Sequence, residues 1–157
     1  AEELDREADI ALEKLYKSTP VAKKLAAEAN GILIFPSILK AGLILAGQMG
    51  EGVLRVNGKT TAYYSSAGAS IGLQAGGQTY GYVMFMMTPA AMKSLEEDSG
   101  WEVGVGPTVV VVDSGMAKNL TTTTAKEDVY AFIFGQEGLM AGLGIQGNKI
   151  TRIEPDK

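Results

Sequence analysis

The amino-acid sequence predicts an α+β fold in which two N-terminal helices and one inserted helix pack on a curved, Gly-rich antiparallel sheet or partly closed barrel. Three observations predict it. Residues 1–30 carry helical periodicity, whereas from Gly31 onward the apolar residues come in strand-length segments punctuated by turn dipeptides. Asn57-Gly58, between Val53–Val56 and Thr60–Tyr64, is the pair that best tolerates the two positive φ angles of a type I′ hairpin turn. The chain's 20 glycines lie inside apolar segments rather than in a linker or collagen period, and there glycine marks a bulge, a bend or close backbone approach. At this length residues 1–157 read as one domain, helical over 1–30 and mainly β over 31–157.

In the first helix, over residues 1–17, Leu4, Ala8, Ala11, Leu12 and Leu15 fall at helical spacing. Glu2, Glu3, Asp5, Glu7 and Asp9 crowd the end where the helix dipole favours negative charge. Ser18-Thr19-Pro20 stops this helix and starts a second, with Thr19 as N-cap and Pro20 at the first helical position, running to about Asn30-Gly31. Gly31–Gly47 is the longest apolar run in the chain. A membrane-spanning helix needs about 20 mostly apolar residues, but this run holds Pro36, Lys40 and the glycines Gly31, Gly42 and Gly47, so it reads as core strand. Residues 68–87 read as one or two bent strands, with Tyr80 and Tyr82 on one face. Thr88-Pro89 repeats the earlier start signal and opens a short helix over Ala90–Glu97.

Trp101–Val105 and Thr108–Val112 read as strands separated by Gly106-Pro107, and Asp113-Ser114-Gly115 as a turn. The four threonines at 121–124 suit an exposed strand, and Val129–Phe134 a strand with Tyr130, Phe132 and Phe134 on one face. Leu143–Gln146 and Lys149–Ile153 bracket Gly147-Asn148 as a second tight hairpin.

Composition narrows the chemistry. Apolar residues are 46% and charged residues 20% of the chain, which suits a globular domain rather than a disordered or polytopic membrane protein. Cysteine and histidine are both absent, which removes disulfides, thiolate nucleophiles, Cys/His zinc sites and imidazole acid–base schemes. A net charge of -4 is no electrostatic match for nucleic acid. Gly68-Ala69-Ser70-Ile71-Gly72 has the G-x-S-x-G spacing of a nucleophile elbow, but with no His to activate it a Ser70-based hydrolase is only a third reading, behind an ordinary small-residue strand. Gly142–Gly147 matches G-x-G-x-x-G, yet ten residues follow it, too few for the βαβ unit of a dinucleotide site. The carboxylates Glu96, Glu97 and Asp98 read as a solvated helix end. Catalytic residues, metal ligands and cofactors are accordingly none.

Charge is unevenly spread along the helical part. Residues 1–13 hold six acidic groups and one basic, whereas Lys14, Lys17, Lys23, Lys24 and Lys40 lie in a stretch whose only acid is Glu28. Lysines beside an anionic bilayer contribute about 1 kcal/mol each, so this stretch is a candidate for salt-sensitive adsorption to phospholipid, with solvated helix faces as the competing reading.

Several blocks resemble a known family. Gly31-Ile32-Leu33-Ile34-Phe35-Pro36, Lys40-Ala41-Gly42, Gly47, Gly50 and Gly52-Val53-Leu54 resemble the opening signature of the SYLF (Ysc84-like) lipid-binding domain. Gly72 with Gln74–Gln78 resembles its central strand, and Gly138–Gly142 with Gly147 its closing strand, so that the resemblance covers about Pro20 to Ile153. Thr61–Ser66 departs from the family's usual segment, which suggests a bacterial branch. The resemblance implies a non-enzymatic domain that binds anionic phospholipid, with actin as a further partner of some members, and, for bacterial relatives, an envelope lipoprotein of the periplasm or outer membrane. Any lipid anchor would then sit upstream of Ala1. The second reading is a structural or protein-interaction module whose partner is another envelope protein.

Overall fold

The computed structural model describes residues 2–41, 45–71, 77–97, 99–121, 124–134, 145 and 147–154. Two helices come first, α1 (Glu2–Ser18) and α2 (Pro20–Glu28), followed by four long strands: β1 (Gly31–Ala41), β2 (Leu45–Val56), β3 (Lys59–Ile71) and β4 (Gly77–Met86). A short α3 (Pro89–Ser94) precedes β5 (Trp101–Glu102) and β6 (Val109–Val111); α4 (Ser114–Asn119), β7 (Val129–Phe134) and β8 (Lys149–Ile153) complete the described chain. The strands form one curled, half-barrel sheet in the order β5-β8-β3-β2-β1-β4-β7-β6. Neighbours pair antiparallel except β6 and β7, which are parallel.

The period-2 alternation of the strands sends side chains to two separate cores. Leu33, Phe35, Ile38, Tyr80, Tyr82 and Met84 face one side, where Ala91 from α3, Leu95 just after it and Trp101 join them. Ile34, Val53, Val83, Phe85, Tyr130 and Phe132 face the other, under Ala8, Ala11 and Leu15 of α1 and Val21, Ala22 and Leu25 of α2. Tyr80 and Tyr82 share a face as expected, and so do Tyr130 and Phe132, with Phe134 packed at the edge of the same core.

Strand β1 lies at the centre, hydrogen-bonded on both sides, yet contains Pro36, which has no N–H to give a ladder. The chain resolves this with an irregularity: the register shifts between Ile34 and Leu39 against β2, and between Phe35 and Ile38 against β4. Phe35 and Ile38 are therefore both buried in the same core although three residues apart. Next to the kink, on β2, Gly52 lies so close to Ile34 O and the Phe35 ring that a Cβ has no room there.

The Asn57-Gly58 turn is as the sequence predicts, with φ of 54° and 80°, and Thr88 caps α3 by accepting from Ala91 N–H at 3.2 Å. Other segments differ. Helix α2 ends at Glu28, where Ala29 turns extended, and Thr19 occupies the N-cap position without a side-chain capping bond. Helix α3 stops at Ser94, short of the expected Glu97. Asp113 does not merely turn: its carboxylate accepts Met116 N–H at 2.7 Å and starts α4.

Thr121 and Thr124 close a turn through their hydroxyls and backbone, which competes with an extended strand; Thr122 and Thr123 lie outside the described residues. The strands read at 101–105 and 108–112 shrink to β5 and β6 and occupy opposite edges of the sheet. Strand β8 pairs with β3 and β5, and Ile145 is not in a strand; Leu143, Gly144 and Gln146 lie outside the described residues. Gly147 and Asn148 instead bond across to Val103, through Gly147 N–H to Val103 O and Val103 N–H to Asn148 O, both at 2.9 Å.

Two substitutions on β2 separate packing from propensity. Gly52→Ala forces a Cβ into backbone and should cost about 3 kcal/mol or more, whereas Gly47→Ala, with nothing within 4 Å of its Cβ, should change stability by less than about 0.5 kcal/mol. Urea denaturation of the two variants beside the parent chain measures both.

Candidate functional site

Helix α1 is fastened by its acidic residues. The Asp5 carboxylate accepts hydrogen bonds from the Thr60 hydroxyl at 3.0 Å and the Tyr63 hydroxyl at 3.0 Å. Arg55, on β2, donates to the Asp5 carbonyl at 3.0 Å and to Thr60 Oγ1 at 3.1 Å, and pairs with the Asp9 carboxylate. Burial, then the bond to Asp5, push the Tyr63 hydroxyl above its ordinary pKa, so it remains a donor. Acidic residues that the sequence places by helix-dipole logic thus have specific basic and hydroxyl partners on the β2–β3 hairpin, 46 to 58 residues away in sequence. The N-terminal half of α1 is pinned there, and the rest crosses the kink of β1.

Lys14, Lys17, Lys23 and Lys24 are all exposed. Lys14 and Lys17, three residues apart, share one flank of α1 with Ile10, which is 46% exposed. Lys17 also pairs with Glu13 at 3.3 Å, both side chains in solvent, a contact worth under about 1 kcal/mol that leaves the ammonium available. Lys23 and Lys24 are consecutive, so they diverge by about 100° around α2. The Lys40 backbone lies in β1, paired with Gln48 and Gln78, and its side chain lies outside the described residues.

Beneath the Ile10 flank is a cleft of about 340 Å³. Ile10, Ala11 and Lys14 form one wall; Pro36 from the kink, Gly81 and Phe134 form the floor and the other wall. Past it, on the same side of the sheet, α1 and α2 no longer cover the strands. Leu39 and Met49 are cross-strand partners there, 54% and 65% exposed, with exposed Gly47 and Ala67 beside them. This apolar continuation is not read from the sequence alone, because the strand face that carries it depends on the kink at Pro36.

The opposite face at the same level is polar and buried. Tyr80 donates to Gln48 Oε1 at 2.9 Å, Gln48 Nε2 donates to Asn148 Oδ1 at 2.7 Å, and Asn148 Nδ2 to Ser66 Oγ at 3.4 Å, while Ser66 and the Tyr82 hydroxyl lie 2.5 Å apart. Gln48, Ser66 and Asn148 are at most 3% exposed. Gly68 makes room for Asn148, whose Oδ1 occupies the space a Cβ would take. Burial raises the Tyr80 hydroxyl to about 12 and raises Tyr82 as well, so both stay protonated and serve as hydrogen-bonding groups, not bases. The network ties Asn148, which leads into β8, to Gln48 of β2 and Ser66 of β3.

The described residues of the two glycine motifs do not form the structure that either chemistry requires. Strand β3 runs straight through Gly68, Ala69, Ser70 and Ile71, whereas a nucleophile elbow turns sharply into a helix after the serine. Gly147 is a turn residue with φ of 83° followed by a strand, not the helix of a dinucleotide site. Glu96 and Glu97 are exposed at the end of α3. Among the described residues no three carboxylates converge as a metal site, and no helix is long and apolar enough to cross a membrane.

Helices α1 and α2 strapped on one side of a curled sheet, with an exposed outer flank, define an α+β domain. Residues 67–155, more than half of the chain, match the sequence model of Ysc84, described as Las17-binding protein actin regulator, and the chain belongs to this family, the SYLF domains. The matched span includes the blocks at Gly72–Gln78 and Gly138–Gly147, much of which lies outside the described residues, but not the block at Gly31–Leu54. The chain is also similar to Beta cell expansion factor A of Aeromonas veronii, at 31% identity over 144 residues. That alignment takes in 90% of this chain and 53% of the relative, so the chain spans about half of the relative's length.

The buried tyrosine sets an alkaline limit on stability. With Tyr80 raised from 10.0 to about 12, the unfolded chain loses this proton first as pH rises, so the contribution is complete below pH 10 and is lost between pH 10 and about 12. Thermal melts should therefore hold level to about pH 9 and fall above it, and Tyr80→Phe should flatten that fall while lowering stability at pH 7 by about 1–2 kcal/mol.

Proposed function

We propose that this protein is a non-enzymatic domain that binds anionic phospholipid at a membrane surface, with Lys14, Lys17, Lys23, Lys24 and Lys40 meeting the headgroups, and that it works in a bacterial cell envelope, in the periplasm or at the outer membrane. Membership of the SYLF family supports a lipid-binding domain. The observation that carries the finer reading is the nearness of charge and hydrocarbon: Lys14 and Lys17 share a flank of α1 with exposed Ile10, Lys14 borders the cleft at Pro36 and Ser37, and Leu39 and Met49 are exposed on the strands that continue from there. Electrostatic attraction of a few lysines is weak and screened by salt, and apolar side chains that enter the interface reinforce it.

A second reading is a protein-interaction module of the envelope. The exposed Leu39–Met49 pair favours it too, since a contiguous apolar patch also suits a protein partner, and the family's description names a protein ligand.

Co-sedimentation with vesicles distinguishes the readings. Phosphatidylglycerol vesicles at about 20 mM salt should pellet the protein, phosphatidylcholine vesicles should not, and glutamine at all five lysines should reduce pelleting at least about tenfold. Equal pelleting of the five-lysine variant would remove the lysines from the site; no pelleting at all, with a protein captured by crosslinking in cells, would favour the second reading.

A further inference from the structure

The lysines and the exposed apolar pair leave the cleft itself without a role. Its lining is informative. Ile10, Ala11, Pro36 and Phe134 contribute hydrocarbon and Gly81 contributes bare backbone, and the hydroxyl of nearby Tyr80 is committed to Gln48 on the other face. Among the described lining residues the charged side chains, Glu7 and Lys14, belong to α1 and Ser37 adds a single exposed hydroxyl, so a sugar, nucleotide or peptide would leave most of its hydrogen-bonding groups unmet there. At about 340 Å³ the cleft is at the small end of ligand sites, and its mouth is open to solvent beside α1.

Charge at the mouth is polarised. Glu7 and Lys14 both border the cleft, and seven residues of helix separate them by about 10 Å. One end therefore repels an anion and the other attracts it. Beyond the cleft Leu39 and Met49 are exposed apolar side chains, with the exposed carboxylate of Glu51 two residues along β2 on the same face, so a chain longer than the cleft would meet hydrocarbon at Leu39 and Met49.

We propose that the cleft between α1 and the β1 kink takes one hydrocarbon chain of an anionic amphiphile, with the headgroup held at the Lys14 end. This rests on the lipid-binding reading and adds to it a defined pocket, distinct from adsorption through the scattered lysines. The amphiphile is either a free fatty acid or one chain of a bilayer phospholipid. Ser37 borders the cleft and is itself exposed, so a larger side chain there fills the space from outside without entering either core.

The test uses the full chain with laurate below its micelle concentration, dodecyltrimethylammonium as the same tail with a cationic head, and phosphatidylglycerol vesicles. Titration calorimetry should show about one laurate per chain, weakened tenfold or more by Ser37→Trp and severalfold by Lys14→Gln, with the cationic amphiphile bound at least tenfold more weakly. Ile10→Glu, at a half-exposed position, is a second cleft variant should Ser37→Trp prove unstable in urea. Laurate bound equally by the parent chain and both cleft variants, or no better than the cationic amphiphile, would overturn the proposal. Laurate unbound while vesicles still pellet the protein would also overturn it, leaving the lysine surface intact. If laurate binds and the cleft variants lose it but keep pelleting with vesicles, the cleft serves free fatty acid; if they lose both, it serves the bilayer.

Discussion

A proline in the middle of the central strand is the constraint from which most of this structure follows. Pro36 cannot donate to a neighbour, and β1 has neighbours on both sides, so the ladder must break there. Breaking it by a register shift against β2 and β4 together keeps the rest of β1 paired along its length. The shift also resets which residues face which core: Ile38 joins Phe35 on one side, and Leu39 is delivered to the other. Gly52 and Gly81 are the counterparts of that distortion on the adjoining strands, each pressed against backbone at the kink. The cleft under α1 is its visible outcome, since Pro36 and Gly81 contribute no long side chain to fill the space that α1 bridges.

Helix α1 can bridge that space because it is anchored elsewhere. Arg55, Thr60 and Tyr63 hold its first half from the β2–β3 hairpin, by bonds to Asp5 and Asp9. Ala8, Ala11 and Leu15 then supply a narrow buried stripe over β1 and β2. A helix held by one polar clamp and one apolar stripe leaves its flank free, and on that flank stand Ile10, Lys14 and Lys17. The clamp and the stripe thus fix the helix, and neither uses the flank.

The elements with strong local signals were legible in the sequence: α1 from its apolar spacing, the β2–β3 hairpin from Asn57-Gly58, α3 from Thr88-Pro89. Each signal sits within a few residues of the structure it specifies. Segments whose structure depends on distant partners were not. Strands β5 and β6 look alike in sequence and lie close together in the chain, yet they join opposite edges of the sheet, because each is chosen by its partner, β8 or β7. Asp113 reads as a turn former and acts as a cap, since both roles use the same carboxylate-to-backbone bond and only the following residues decide. Of the candidate site, the lysines could be found by counting charge, and Ile10 by its place off the Ala8–Ala11–Leu15 stripe of α1; Leu39 and Met49 could not, as the face that this end of the sheet presents follows from the Pro36 shift.

Residues 48 and 49 show that the register of a whole strand outweighs the burial of any one of its side chains. Gln48 is 3% exposed and Met49 is 65% exposed, on successive positions of one strand. Exchanging their faces would bury a methionine, worth about 1.5–3 kcal/mol, and return an amide to water. The observed arrangement forgoes that gain and must in addition satisfy Gln48 inside the protein, which it does through Tyr80 and Asn148. Because side chains alternate strictly, one position cannot be reversed without sliding the whole strand, and the β2–β3 ladder from Leu45 to Val56 fixes the register against such a slide. The polar cluster can be understood as the internal consequence of holding β2 so that Met49, opposite Leu39, faces outward. Among the described residues the pair stays largely in solvent. Leu39 and Met49 thus stay outward because the long β2–β3 ladder and the satisfied Gln48 cluster hold the register, whatever the burial of either side chain alone would contribute.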